Sequence, residues 1–176
     1  GKGSMKLLHM LVRLLAEEPR AHLLMIGKSI RLNSDYMVSY WAQMQEYMRT
    51  HNLEQRVTMT GYLPDAEVSA ELAACDVLYL PYPDGASTRR GSLMAALNHG
   101  CAIVTTTPQA STPELVDGEN LLFVGEDDIE AAVAAVRRVA HNAALREKLR
   151  RNALSTSALF SWAGIAGAHE RFYLAG

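Results

Sequence analysis

The stretch from Val77 to Thr107 constrains the fold of this chain more than any other. An apolar run that ends at Pro81 leads through a polar turn into a small-residue segment, Gly91 to His99, and then into a second apolar run, Ala102 to Thr107. The middle segment predicts a helix that stops at Gly100. Both apolar runs are continuous rather than alternating, which is typical of strands buried on both faces. The stretch therefore predicts a strand, helix, strand unit of a parallel sheet.

The polar turn of this unit is the first candidate binding site. Ligands of open parallel sheets bind beyond the carboxyl ends of the strands, where loops lead into helices. Arg89 and Arg90 precede Gly91 and Ser92 at the predicted helix start. Two guanidinium groups, the helix dipole and a hydroxyl could converge there on a diphosphate. The alternative interpretation is a pair of solvated arginines at a loop tip.

Helical and strand patterns alternate along the rest of the chain. Helices are predicted at Ser4–Ala16, Asp35–Thr50, Asp65–Ala74, Glu114–Val116 (one turn), Asp127–Ala140, Ala143–Ala153 and Trp162–Tyr173. Strands are predicted at Ala21–Ile26, Arg56–Thr60 and Asn120–Val124. This alternation predicts one α/β domain over residues 1–176, a doubly wound parallel sheet with helices on both faces. Because a glycine turn at Gly1–Gly3 leads directly into a helix, we expect the chain to be a fragment whose first strand is missing.

Composition limits the classes of partner. The chain has 17 Lys and Arg against 19 Asp and Glu, so its net charge is close to zero. It therefore has no overall positive potential that would attract nucleic acid or an acidic membrane, and any anion-binding site must be local. Cys75 and Cys101 form no metal-binding pattern, and we expect both to be core residues in a reducing cytoplasm. No metal site is predicted. No apolar run approaches the roughly 18 residues of a membrane span.

The amino terminus carries a second candidate phosphate contact. Gly1-Lys2-Gly3 matches part of a dinucleotide fingerprint, although Lys6 stands in place of the third glycine. A glycine-rich turn before a helix exposes backbone N–H groups, and Lys2 can add a point charge for phosphate. The alternative is a solvated terminal lysine. No GxSxG or HExxH pattern is present, so the sequence identifies no catalytic nucleophile or base.

Several short motifs occur together in an order that is specific although each motif alone is weak. They are Gly61-Tyr62-Leu63-Pro64-Asp65, Ala73 to Pro81, Leu93 to Gly100, Ala102 to Thr106, Pro113 to Asn120 and Phe160-Ser161-Trp162. In this order the chain resembles the C-terminal, donor-binding domain of glycosyltransferase family 4 (group 1), whose enzymes have the GT-B fold. The resemblance covers nearly the whole chain and implies a Rossmann-like domain, the C-terminal half of a GT-B enzyme.

The resemblance also implies roles for individual residues. Lys2 matches a lysine that contacts the donor diphosphate, and Tyr62 with Leu63 matches the loop that meets the nucleobase. Ser87 and Ala95 stand where the family has paired glutamates that contact the donor sugar and the ribose. A serine side chain can form a hydrogen bond with one ligand hydroxyl, whereas an alanine side chain can form none. Either Arg89, Arg90 and Ser92 hold the donor through its phosphates, which we prefer, or the domain has lost activity.

We therefore expect the nucleotide-sugar-binding half of a retaining glycosyltransferase of the hexosyltransferase type. Its donor is a nucleoside-diphosphate sugar, used as substrate without a cofactor. The resemblance implies an N-terminal acceptor-binding domain of the same protein as partner, so the fragment alone is expected to be inactive. The alternative is a non-catalytic GT-B-like domain that acts as a protein-interaction or regulatory module. A third possibility, a nucleotide-sugar epimerase of related fold, lacks an identifiable carboxylate or histidine constellation.

Overall fold

The chain alternates short strands with longer helices. The structure, a computed structural model, describes residues 3–27 and 34–174. The helices are α1 (Ser4–Glu17), α2 (Asp35–Thr50), α3 (Asp65–Ala74), α4 (Gly91–Asn98), α5 (Ile129–His141), α6 (Ala143–Ser157) and α7 (Trp162–Leu174). The strands are β1 (Leu23–Met25), β2 (Val57–Met59), β3 (Leu78–Leu80), β4 (Ile103–Thr106) and β5 (Leu122–Val124). Among the described residues, none of the helices is long and apolar enough to cross a membrane.

The strands pair in parallel throughout the described part of the chain. β1 pairs with β2, while β3, β4 and β5 form a separate ladder in that order. A cavity of about 100 Å³ lies between the two ladders, lined by Leu23, Leu24, Leu78, Tyr79 and nearby helical side chains. The predicted α/β class is confirmed, with parallel hydrogen bonding divided between two sheets. The strand expected ahead of Gly1 falls outside the described residues.

Two apolar layers cover opposite faces of the three-stranded sheet. Ile103 packs in a cluster with α3, α4 and α6, which includes Leu72, Leu93 and Ala153. The next residue, Val104, packs in a cluster with α1 and α5, which includes Met10. Successive side chains of a strand point to opposite faces, so a strand covered on both sides must be continuously apolar. Helices on both faces therefore follow from the pattern of the sequence.

One predicted helix is wrong, and another extends beyond its predicted end. Glu114 lies in a turn and Leu115 and Val116 have no regular secondary structure, so the predicted turn of helix is not formed. The buried Asn120 side chain bonds both the Val116 N–H (2.9 Å) and the Glu114 carbonyl (2.7 Å), and thus satisfies backbone groups that a helix would pair. Helix α6 continues past the predicted end at Ala153 to Ser157.

Consecutive threonines tie together the carboxyl ends of the three-stranded sheet. The Thr105 hydroxyl donates to the Leu80 carbonyl (2.8 Å) and the Thr106 hydroxyl to the Tyr82 carbonyl (2.8 Å). The Thr107 hydroxyl donates to the Val124 carbonyl (3.2 Å). Each of these carbonyls also accepts a backbone N–H, from Tyr82, Gly85 and Thr107 respectively, so the hydroxyls add a second bond at the end of the ladder. The segment that leaves β3 therefore starts from a fixed point.

Candidate functional site

The candidate site lies at the carboxyl edge of the sheet, where α1 meets the segment that follows β3. Gly3 immediately precedes α1 with φ of 79°, and a side chain on it would overlap the carbonyl oxygen of Pro81. Only glycine fits both the left-handed backbone and this contact. The start of α1 is thus pressed against the loop that follows β3. Lys2, the neighbouring residue predicted to contact phosphate, lies outside the described residues.

The loop from Pro81 to Arg90, here called the arginine loop, is fixed to β4 by its backbone. The Gly85 N–H donates to the Tyr82 carbonyl (3.2 Å), and the Ala86 N–H donates to the Thr106 carbonyl (3.1 Å). Gly85 has φ of 75°, and a Cβ there would lie 2.6 Å from the Thr107 carbonyl oxygen. The loop therefore packs directly on the backbone that follows β4.

The two arginines of this loop have different surroundings. The Arg90 guanidinium forms an ion pair with Asp84 and lies over the Tyr82 ring, 5.1 Å from its centroid. Arg89 is exposed, and its backbone N–H donates to the Ser87 hydroxyl (3.3 Å). Among the described residues, no hydrogen bond or ion pair engages the Arg89 guanidinium. Ser87, Arg89 and Arg90 are thus brought together as the sequence predicts, but only Arg89 presents an uncompensated cation.

The first turn of α4 completes the polar side of the site. The Ser92 hydroxyl lies 2.7 Å from the hydroxyl of the buried Tyr82. Burial raises the Tyr82 pKa, and bonds to Ser92 and the Leu93 N–H together with the charge of Arg90 act in the opposite direction. Apart from its chain neighbours and the backbone of α4, none of the described residues has a heavy atom within 4 Å of the position that a Cβ on Gly91 would occupy. The start of α4 therefore has open space beside its backbone.

Ala95 is not part of this polar surface. It lies half-buried in α4 and packs against the apolar cluster that contains Leu93 and Leu97. Its carbonyl oxygen lies 2.7 Å from Nδ1 of His99, at the end of the helix. A methyl side chain in this place can provide contact area but no hydrogen bond to a ligand.

Tyr62 and Leu63 occupy a different loop, at the carboxyl end of β2 in the two-stranded sheet. They follow β2 through Gly61, which has φ of 70° and bridges to Gly27. Tyr62 is 74% exposed, whereas Leu63 is half-buried. Among the described residues, no hydrogen bond or ion pair joins them to the arginine loop. The structure thus places the two predicted groups after the carboxyl ends of strands that belong to separate ladders.

Three polar residues of the site were not among the predicted site residues: Tyr82, Asp84 and Thr106. Tyr82 and Thr106 are buried, and each bonds a group distant in sequence. Asp84 lies in the polar turn, but its pairing with Arg90 six residues later depends on the path of the loop. The turn composition could have indicated a loop carboxylate, whereas no local signal identifies its partner.

Comparison with known proteins gives one family match. The family described as glycosyl transferases, group 1, matches residues 1–142. No curated protein sequence matches the chain.

Several solved structures share the fold. Sucrose-phosphate synthase from Thermosynechococcus elongatus has 22% identity and a TM-score of 0.77, over 94% of this chain and 41% of that one. Anabaena HepE in complex with UDP has 16% identity and a TM-score of 0.80, over 99% of this chain and 46% of that one. The C-terminal domain of a group 1 glycosyl transferase (LpcC) from Francisella tularensis has 16% identity and a TM-score of 0.74, over 89% and 78%. The chain thus spans less than half the length of the first two.

Proposed function

Because this chain belongs to the group 1 glycosyl transferases, we propose that it is the nucleotide-sugar-binding domain of a retaining glycosyltransferase, of the hexosyltransferase type. The observation that carries this proposal is the open start of α4 beside Arg89, at the carboxyl edge of a parallel sheet. Ligands of open α/β sheets bind at such edges, and helix N-termini bind phosphate. The solved structure of HepE, which shares the fold, contains UDP, and this supports a uridine nucleotide as the first ligand to test.

The diphosphate contacts follow from the charges of the site. Arg89 and Lys2 supply cations, while the backbone N–H of Gly91 and the hydroxyl of Ser92 supply donors at the helix start. When the bond between the anomeric carbon and the diphosphate oxygen breaks, its electron pair leaves with the diphosphate. Fixed cations and oriented dipoles stabilise the charge that develops on this leaving group. The cations thus act on the step that releases the nucleotide.

The remaining predicted contacts concern the base, the ribose and the sugar. Tyr62 and Leu63 provide the loop for the nucleobase, for which an exposed aromatic ring beside a backbone turn is suited. Ser87 offers one hydroxyl to the sugar, whereas Ala95 offers apolar contact alone. The donor is therefore held mainly through its diphosphate.

Transfer requires a second domain in this proposal. The chain covers less than half of two related structures, and an N-terminal acceptor-binding domain of the same protein would supply the other wall of the cleft. The chain alone therefore binds donor but transfers no sugar. It needs no cofactor, since the nucleotide sugar is the substrate. The free thiols of Cys75 and Cys101 support the cytoplasm as its compartment.

A second candidate is a non-catalytic domain that serves as a protein-interaction or regulatory module. The observation that favours it is the replacement of both family glutamates, by a half-buried Ser87 and by Ala95 in the apolar layer. An interaction module has no need to bind diphosphate. Nucleotide binding therefore separates the two candidates.

Calorimetric titration with UDP, GDP and ADP tests the proposed function. We expect one nucleotide to bind, and Arg89→Ala to weaken its binding by at least about tenfold, or roughly 1.4 kcal/mol, because a charged hydrogen bond to phosphate is lost. Arg151→Ala, which removes an exposed arginine from α6, is the control and should leave the affinity unchanged. Absence of binding to all three nucleotides would favour the interaction module.

Gly91→Ala tests the position of the diphosphate without changing any charge. The added methyl enters open space, so the free energy of unfolding should stay the same or rise by up to about 1 kcal/mol, from the better helix propensity of alanine. We expect nucleotide affinity to fall at least about tenfold, because the methyl occupies the space assigned to the phosphate. Gly167→Ala, inside α7, is the matched control: it should likewise raise the free energy of unfolding by up to about 1 kcal/mol, and it should leave the affinity unchanged. Unchanged affinity in Gly91→Ala would place the diphosphate elsewhere.

A further inference from the structure

Four side chains of the arginine loop and the first turn of α4 contact one another in a cluster. This cluster, here called the clamp, consists of Tyr82, Asp84, Arg90 and Ser92. The Asp84 carboxylate pairs with the Arg90 guanidinium, and the same guanidinium lies over the Tyr82 ring. The Tyr82 hydroxyl in turn reaches the Ser92 hydroxyl in the first turn of α4, at 2.7 Å. The clamp therefore joins the beginning of the loop to its end.

The clamp is anchored to the sheet at Tyr82. This residue is 7% exposed, and its carbonyl accepts hydrogen bonds from the Thr106 hydroxyl (2.8 Å) and the Gly85 N–H (3.2 Å). Its hydroxyl lies 2.7 Å from the Ser92 hydroxyl. Tyr82 is thus held at both its backbone and its side chain, so a group packed on its ring is fixed relative to the sheet.

Charge separates the roles of the two arginines. The Arg90 side chain is 35% exposed, and its positive charge is offset by Asp84 and in contact with an aromatic face. Because Asp84 offsets the charge of Arg90, its guanidinium attracts a phosphate less strongly than an unpaired arginine does. Arg89 is exposed, and among the described residues its guanidinium has no such partner. The loop therefore offers a net charge of +1 to an anion, and Arg89 supplies it.

The backbone shows what the clamp holds in place. Arg90 is the residue that precedes α4, and its N–H donates to the Ser87 carbonyl (3.0 Å) while its carbonyl accepts the Met94 N–H (3.0 Å). Its neighbour Arg89 lies between the Ser87 hydroxyl and this helix start. When the Arg90 side chain is fixed, both the start of α4 and the direction of Arg89 are fixed with it.

We propose that Arg90 is a positioning residue, clamped between Asp84 and Tyr82, which holds Arg89 and the start of α4 in place for a nucleoside diphosphate. This proposal rests on the proposed function for the identity of its ligand. It assigns Arg90 a different role from the direct diphosphate contact that the sequence predicts. Asp84 becomes a determinant of affinity although it bears the same sign of charge as the ligand.

Asp84→Ala distinguishes positioning from direct contact by the sign of its effect. If Arg90 were a phosphate ligand, removal of Asp84 would release it, raise the loop charge to +2 and tighten nucleotide binding. The clamp predicts the opposite, a loss of affinity of at least about fivefold despite the added positive charge. The measurement is calorimetric titration with UDP, GDP and ADP, and tighter binding by Asp84→Ala would overturn the proposal.

Two further variants separate the clamp from a general effect of charge. Arg90→Lys keeps the charge but lacks the planar fork that both pairs with Asp84 and stacks on Tyr82, so it should lose as much affinity as Arg90→Gln. Full rescue by lysine would show that charge alone matters and would contradict the clamp. Arg151→Gln on α6 is the control for loss of one positive charge and should leave the affinity unchanged.

Hydrogen exchange tests the clamp independently of any nucleotide. The amides of Gly85, Ala86 and Arg90 are bonded within the loop and to β4, and Asp84→Ala should speed their exchange at least about tenfold. Unchanged exchange at these amides would overturn the proposal even if the nucleotide binds. Faster exchange in a chain that binds no nucleotide would support the clamp and defeat the proposed function, so the two failures are distinguishable.

Discussion

Gly85→Ala is expected to lower the free energy of unfolding by about 2 to 4 kcal/mol and to abolish measurable nucleotide binding. A Cβ at this position would lie 2.6 Å from the Thr107 carbonyl oxygen and 2.9 Å from the Gln109 nitrogen, both of which are backbone atoms that cannot rotate away. The left-handed backbone adds about 1 to 2 kcal/mol of strain for any residue with a side chain. Because the arginine loop must lift from β4 to relieve the overlap, Arg89 is displaced with it. Urea unfolding and calorimetric titration measure the two effects.

Gly118→Ala is the matched control for Gly85→Ala. Gly118 also has a positive φ, 71°, but in the described part of the chain no atom other than those of its two neighbours lies within 4 Å of a Cβ built there. It should therefore lose only the strain contribution, about 1 to 2 kcal/mol, and retain nucleotide affinity. Equal losses of stability in the two variants would show that the Gly85 backbone is not pressed against the segment that follows β4.

Asn120→Ala is expected to lower the free energy of unfolding by about 2 to 4 kcal/mol, because its side chain satisfies three groups at once. Its amide oxygen accepts the Val116 N–H, and its amide nitrogen donates to the Glu114 carbonyl and to the Thr156 hydroxyl, 2.8 Å away. Each group left unsatisfied in a buried place costs about 1 to 3 kcal/mol, reduced where water can enter. Urea unfolding with an unchanged m-value would give the loss directly.

Asn152→Ala provides the comparison for Asn120→Ala. Within the described residues, the Asn152 side chain makes one hydrogen bond, an exposed one from its amide to the Glu119 carbonyl (2.9 Å). Water can replace this bond, so we expect a loss below about 1 kcal/mol. A similar loss for both asparagines would indicate that the turn before β5 does not depend on the Asn120 side chain.

The order of elements could be predicted from the sequence because it depends on local patterns. The continuous apolar run from Ala102 predicts a strand buried on both faces, and Ile103 and Val104 do pack into separate layers on opposite sides of the sheet. Glu114 to Val116 is the exception, since its backbone is satisfied by Asn120, a residue of the following turn. Local propensity carries no information about a partner of this kind.

The candidate site could be located from the sequence, but the roles of its individual residues could not be assigned. The carboxyl edge of a parallel sheet, a polar turn and a helix start are all visible in the order of the residues, which is why Arg89, Arg90 and Ser92 could be chosen together. The sequence treats the two arginines alike. Only the path of the loop brings Asp84 to Arg90 and leaves Arg89 exposed.

The sequence by itself determined the alternation of strands and helices, the burial of β4 and the position of the loop, because each depends on residue types at short spacing. The tertiary structure alone decided which cation is compensated, which glycines are pressed against backbone and which hydroxyls hold the end of β3. These properties depend on atoms that are distant along the chain and close in space, such as the Thr106 hydroxyl and the Tyr82 carbonyl. Contacts of this kind have no periodicity, and so no sequence pattern reports them.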